Sequence, residues 1–205
     1  MSRDAVPKKR ISRDETKQRT REALVSAATR LFAERGFDAP SLDDICDRAG
    51  FTRGAFYVHF RDRDDLVTAV VQRVGRAFLD ALLGTEDDDL GAIAHRFVAA
   101  MASGAYPLTK KGGIRPYQLL DACARSPAIR KEYVGLVEET IARLASATKK
   151  AQREKKVRDD LPAKGVGLLL VASVIGVQTL LDLEVPVDVG ESAHFALRLL
   201  APRLR

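Results

Sequence analysis

Arg53, Tyr57 and His59 stand on one side of a short segment, TRGAFYVHF at 52–60, whose other side carries Phe56 and Phe60 one turn apart. A guanidinium that can fork onto a guanine edge, beside a phenol and an imidazole within reach of phosphates or bases, is the chemistry of reading a duplex. Gly54 and Ala55 between them let a backbone approach closely. Thr52 can cap the segment's first turn, and Gly50 ahead of it supplies a turn where positive φ is cheap only for glycine. Upstream, SLDDICDRAG at 41–50 gives a second short helix. Leu42, Ile45, Cys46 and Ala49 fall at i, i+3, i+4 and i+7, and Ser41 with Asp44 forms a capping box. A helix, a glycine turn and a second helix make the helix-turn-helix unit, whose second helix fits the major groove. The same pattern also describes an ordinary helical hairpin with a polar wet face. The candidate DNA-contacting residues are Ser41, Thr52, Arg53, Gly54, Ala55, Tyr57, His59 and Arg63.

These elements have to be positioned by a helix before and a helix after. AATRLFAERGF at 27–37 is the first, and DRDDL at 62–66 opens the second, with Asp62 as its cap. Between Ala23 and Leu66 the chain resembles the TetR family of bacterial transcriptional regulators. The resemblance rests on that first string, on DDICDRAG at 43–50 and on TRGAFYVHFRDRDDL at 52–66. Departures are mild: Pro40 stands where the family usually has Thr, Cys46 where it has Ala, and Arg63 where it has Lys. The first is expected to alter one phosphate contact, whereas the others keep size or charge. Beyond about residue 83 the resemblance is one of helical layout only.

The net charge of +6 is unevenly placed. Residues 1–21 hold eight Lys or Arg against three acids, while residues 22–66 hold six Arg against nine acids. The motif itself is therefore not a basic patch. The cationic excess lies in a leader, read as a disordered arm over 1–16, suited to phosphates or a minor groove if it is more than a solvated tail. Cys46 and Cys123 lie far apart without C-x-x-C spacing, which argues for a reducing cytoplasm and against a zinc site or disulfide framework. His59, His95 and His194 lack metal-ligand spacing. No H-E-x-x-H, G-x-S-x-G, Walker loop or strand-associated G-x-G-x-x-G occurs, so no catalytic residue, metal or cofactor is assigned and the chain is read as a non-enzyme.

The opening residues lack the apolar stretch of a secretory signal. Gly165–Leu181 contains 17 uncharged residues, short of the roughly 20 that a membrane span needs. A helix buried on most sides within a soluble dimer explains it better, and no membrane partner is expected. No strand pattern or repeat appears. The expected architecture is all-α with about nine helices: a helix-turn-helix domain over 17–65 and a helical effector-binding and dimerisation domain over 66–205. Helices are expected at about 17–35, 41–49, 52–59, 62–84, 88–103, 114–124, 127–156, 162–183 and 189–201. A glycine- and lysine-containing loop spans 104–113.

The last two helices carry more apolar surface than a lone domain requires. In proteins that this chain resembles, such helices pair with their mates into a four-helix dimer interface. The corresponding residues here are Leu169, Ser173, Gly176, Val177, Leu180, Ala193, Leu197 and Leu200. Helices 4–8 in relatives enclose a small-molecule pocket. Its candidate lining is Phe97, Met101, Tyr106, Tyr117, Leu120, Cys123, Tyr133, Val137 and Gln178, although for each of them taken singly plain core is the better reading. The resemblance thus implies a homodimeric repressor on a palindromic operator in double-stranded DNA, released by a small, mostly apolar effector. The rival reading is an effector-independent structural or nucleoid-associated DNA-binding protein.

Overall fold

Side-chain caps set most of the helix starts. The Ser12 hydroxyl accepts from the Glu15 N–H at 3.0 Å and the Glu15 carboxylate accepts from the Ser12 N–H at 2.7 Å, a complete capping box. The computed structural model describes residues 12–84, 89–103 and 116–202. Among them run α1 (Arg13–Arg35), α2 (Leu42–Ala49), α3 (Arg53–Tyr57), α4 (Arg63–Leu83) and α5 (Leu90–Ala102). Then follow α6 (Pro116–Arg125), α7 (Pro127–Arg153), α8 (Ala163–Asp182) and α9 (Val189–Leu200). The expected all-α architecture is the one observed.

The capping box moves the start of α1 ahead of the expected position near 17. Residues 13–16 belong to the helix rather than to an arm, which corrects that boundary. Residues 1–11 lie outside the described residues, as do the 104–113 loop and Tyr106. Asp62, Asp89 and Asp188 cap α4, α5 and α9 by accepting from backbone N–H groups, each at 2.8 Å. Ser126 sits at the N-cap of α7 without a side-chain bond, so Pro127 at N1 marks that start alone.

Two layers of packing follow. Leu24, Ala28, Leu31 and Phe32 of α1 enclose Ile45 and Cys46 of α2 and Phe56 of α3, all buried. The second body is built by α4 against α7, α7 against α8, and α9 on α5. Close helix crossings use glycines. A Cβ on Gly167 of α8 would stand 2.7 Å from the Ile141 carbonyl oxygen of α7, and one on Gly75 of α4 would collide with Leu136 of α7. Arg76 to Glu139 at 2.9 Å and Arg143 to Asp80 at 3.3 Å tie α4 to α7 at the rim. Being exposed, such pairs stabilise only modestly.

The expectation of burial on most sides concerns a dimer; within one protomer the apolar helix is largely open. α8 is 20 residues long and apolar enough to cross a membrane, yet only 22% of that stretch is buried. Leu168, Leu169, Ala172, Gly176 and Leu180 recur at helical spacing along its exposed face, and Leu183, which ends the helix, is exposed as well. Phe195 and Leu199 of α9 are likewise exposed, at 61% and 57%.

Candidate nucleic-acid interface and interior cavity

The turn between α2 and α3 is a left-handed glycine closure. Gly50 has φ +75° and ψ +31°, and the Phe51 N–H reaches back to the Cys46 carbonyl at 3.0 Å. Thr52 then caps α3 by accepting from the Ala55 N–H at 3.3 Å. α3 is shorter than expected, because His59 falls in the turn beyond Tyr57. Phe56 anchors it: fully buried, it packs on Phe60 at 5.3 Å and edge-on to Tyr57 at 5.2 Å.

The opposite side of α3 is open. Arg53, Gly54, Tyr57 and Val58 are exposed, and Ala55 and His59 are half-buried. Tyr57 and Asp43 flank the Arg53 guanidinium, the latter at 3.5 Å, and both hold its pKa above the ordinary arginine value. Partial burial pushes the His59 pKa down, helped by Lys17 and Arg21 of α1. Those two cations come from α1 and stand beside the α3 end of the motif. Val58, 64% exposed, joins this face without any sequence signal, because apolar residues are ordinarily assigned inward.

Two candidates have other duties. The Ser41 hydroxyl bonds the Asp44 carboxylate at 2.6 Å, so although exposed it serves as the helix cap. Arg63, the second, is held within its own protomer. It donates to the carbonyl oxygens of Phe37 and Pro40 and lies 5.5 Å over the Phe32 ring. Its fork staples the α1–α2 connection to the start of α4. Pro40 is itself wholly buried.

A cavity of about 270 Å³ opens in the second body. α4, α5, α7, α8 and α9 line it, with Leu119 of α6 and Phe37 from the turn after α1. Of the expected lining residues, Phe97, Tyr133, Val137 and Gln178 are there. Met101 packs into the core instead, and Cys123 is buried on the α6 face that meets α7. Tyr117 and Leu120, 65% and 54% exposed, lie on the outer face of α6. Burial raises the Tyr133 and Cys123 pKa values.

The expected dimer residues also divide. Leu169, Gly176 and Leu180 are exposed, and a Cβ on Gly176 would find no atom within 4 Å. Val177, Ala193 and Leu197 line the cavity, and so does Ser173 from the exposed edge of α8. Leu200 is buried, its carbonyl accepting from the Arg158 N–H at 2.9 Å. Ala193 and Leu197 turn into their own protomer because α9 leans on α5, which carries its inner stripe over the cavity.

Residues 24–70 match the profile of bacterial regulatory proteins of the tetR family. The HTH-type transcriptional repressor BepR of Brucella suis biovar 1 is 31% identical over 157 residues, 75% of this chain and 66% of BepR. The HTH-type transcriptional regulator TtgR of Pseudomonas putida is 41% identical over 73 residues, 36% of this chain and 31% of TtgR. The matches therefore span less than two thirds of those relatives. Among solved structures, SmeT, the repressor of the Stenotrophomonas maltophilia multidrug efflux pump SmeDEF, superposes with a TM-score of 0.62 at 27% identity, covering 89% of each chain.

Proposed function

Since the chain belongs to the TetR family of bacterial regulatory proteins, we propose that it is a DNA-binding transcriptional repressor that works as a homodimer and is released by a small apolar effector. The observation that carries the reading is the open face of α3. Arg53, Gly54 and Tyr57 are exposed on a helix fixed from behind by Phe56 and in front by the Thr52 cap. One such helix reads a few base pairs, so a twofold copy on a palindromic operator supplies specificity. The exposed stripe of α8 with Phe195 and Leu199 of α9 is the surface we assign to the second copy. An uncharged stripe of that length is left in water by few stable monomers. The interior cavity is the effector site, and SmeT has been solved in complex with triclosan. An apolar cavity with room for a small molecule favours an effector-responsive repressor over an effector-independent nucleoid protein. The cytoplasm is the compartment in which these partners meet.

Arg53→Ala tests the readout. It is expected to weaken specific binding by about 1–3 kcal/mol and to relax preference at one position per half-site. Duplexes selected by the protein from random DNA, then measured one base change at a time by fluorescence anisotropy, report both. An unaltered profile would remove Arg53 from the base-reading role.

The leader gives an independent check. Residues 2–11 hold Arg3, Lys8, Lys9 and Arg10 against Asp4. Deleting them is expected to spare the thermal melt and the dimer while lowering DNA affinity. It should flatten the salt dependence by about 0.9 in slope for each phosphate no longer neutralised. Equal slopes for full-length and shortened protein would show the leader takes no part.

A further inference from the structure

We propose that the cavity selects neutral, apolar molecules carrying one hydrogen-bond acceptor, such as a ketone oxygen, and that Gln178 of α8 makes the selection. The inference rests on the reading of this cavity as the effector site. Among the described residues its lining contains no Asp, Glu, Lys or Arg, so an ion entering it would lose hydration with no countercharge to meet. The neutral polar side chains of the lining are Tyr133, Thr140, Ser173, Gln178 and Ser192. Three of these have already used their protons. The Thr140 hydroxyl donates to the Leu136 carbonyl at 2.7 Å, Ser173 to Leu169 at 2.8 Å, and Ser192 to Asp188 at 2.7 Å.

Gln178 differs from them. It is 5% exposed, and its amide nitrogen is buried without a hydrogen-bond partner. Buried amide donors are nearly always paired, because an unpaired one forfeits its hydration for nothing. Gln178 lines the cavity, and a turn of its side chain that brings the primary amide to a ligand's acceptor recovers that loss. A hydrocarbon of the same shape fills the cavity equally well but leaves the amide unpaired. Selectivity for the acceptor therefore arises from a cost already present in the empty site, as in sites built to hydrogen-bond one substrate group. The volume, about 270 Å³, lies near the lower end of the roughly 300–1,000 Å³ typical of ligand sites, which suits molecules of one or two rings.

The test uses the full-length protein and a matched pair. N-Phenyl-1-naphthylamine, fluorescent in apolar sites, is displaced in turn by benzophenone and by diphenylmethane, which differ in shape by little more than the carbonyl oxygen. Wild-type protein is expected to bind the ketone about tenfold more tightly. Gln178→Leu should bring that ratio to within about twofold, mainly by weakening the ketone, while the reporter still binds. Thr140→Val, which removes a hydroxyl already spent on its own helix, should leave the ratio near tenfold. A wild-type ratio near one overturns the proposal even if Gln178→Leu fails to fold, and so does a ratio that survives Gln178→Leu. If neither the reporter nor the pair binds wild-type protein, the effector-site reading falls and this inference with it.

Discussion

Gly176→Leu is expected to leave a folded protomer that no longer dimerises, whereas Gly167→Leu, nine residues earlier on the same helix, is expected to damage the protomer itself. The two glycines look alike in sequence, each set among leucines and valines. At Gly167 a Cβ would lie 2.7 Å from the Ile141 carbonyl oxygen and 3.3 Å from the Ala145 nitrogen, both backbone atoms of α7. Backbone in a helix cannot step aside, so α7 and α8 have to separate. The cost is at or above the usual 1–3 kcal/mol of overpacking. For a chain of this size that lowers the melting temperature by about 2–4 °C per kcal/mol. At Gly176 nothing lies within 4 Å, and leucine has the better helix propensity by about 0.8 kcal/mol. Protomer stability should hold or rise. The larger side chain instead meets the second copy, at about 1–3 kcal/mol per site and twice per dimer, which weakens association by about 30-fold or more. Sedimentation and melting, read together, separate the cases. An undisturbed Gly176→Leu dimer would mean that α8 meets its mate elsewhere, and an equal melting loss in both variants would place Gly176 against its own protomer.

How far the sequence carries depends on whether a feature is local. The reading motif is local. Ser41 with Asp44, the left-handed Gly50, the Thr52 cap and the Phe56 anchor all act within a few residues, and each appears in the structure where spacing placed it. The start of α1 is local too, but its capping box of Ser12 and Glu15 lies in a polar stretch with no apolar stripe behind it, so periodicity offers no cue. Other features depend on which neighbour a helix face meets, and spacing does not say. On α6, Leu119, Ala122 and Cys123 are buried while Tyr117 and Leu120 face out, so the sequence places the helix correctly and misses its phase. α9 lines the cavity only because it leans on α5. Arg63 enters as a candidate DNA contact through the family resemblance, which has Lys at that position. Its partners within the protomer, Phe37 and Pro40, are more than twenty residues away in the chain, and spacing gives no hint of them.

Phe37, the last residue of the first family string, joins the two bodies. It follows Gly36, whose φ of +77° ends α1 and whose bare α-carbon faces Gln118 of α6. The Phe37 ring is buried, packs edge-on against Phe32 of the reading head at 5.3 Å, and lines the cavity. Its carbonyl holds Arg63 at the start of α4, and next to it Asp38 pairs with Arg125 of α6 at 3.0 Å. A molecule in the cavity thus touches a side chain whose other contacts fix the end of α1. Phe37→Ala is expected to cost about 3–5 kcal/mol, as deletion of a buried aromatic does, with a fall in melting temperature of about 6–20 °C. Phe37→Leu keeps most of the volume and should fold. It is expected to bind cavity ligands nearly as well as wild type yet to transmit less of that binding to DNA. The coupling, ordinarily about 1–3 kcal/mol or 5- to 150-fold in affinity, should shrink towards none. Anisotropy of a selected duplex, with and without saturating benzophenone, measures it directly for both proteins. A Phe37→Leu protein whose DNA affinity responds to ligand as fully as wild type would show that the signal leaves the cavity by another route, of which the α6 contacts at Gly36 and Asp38 are the next to test.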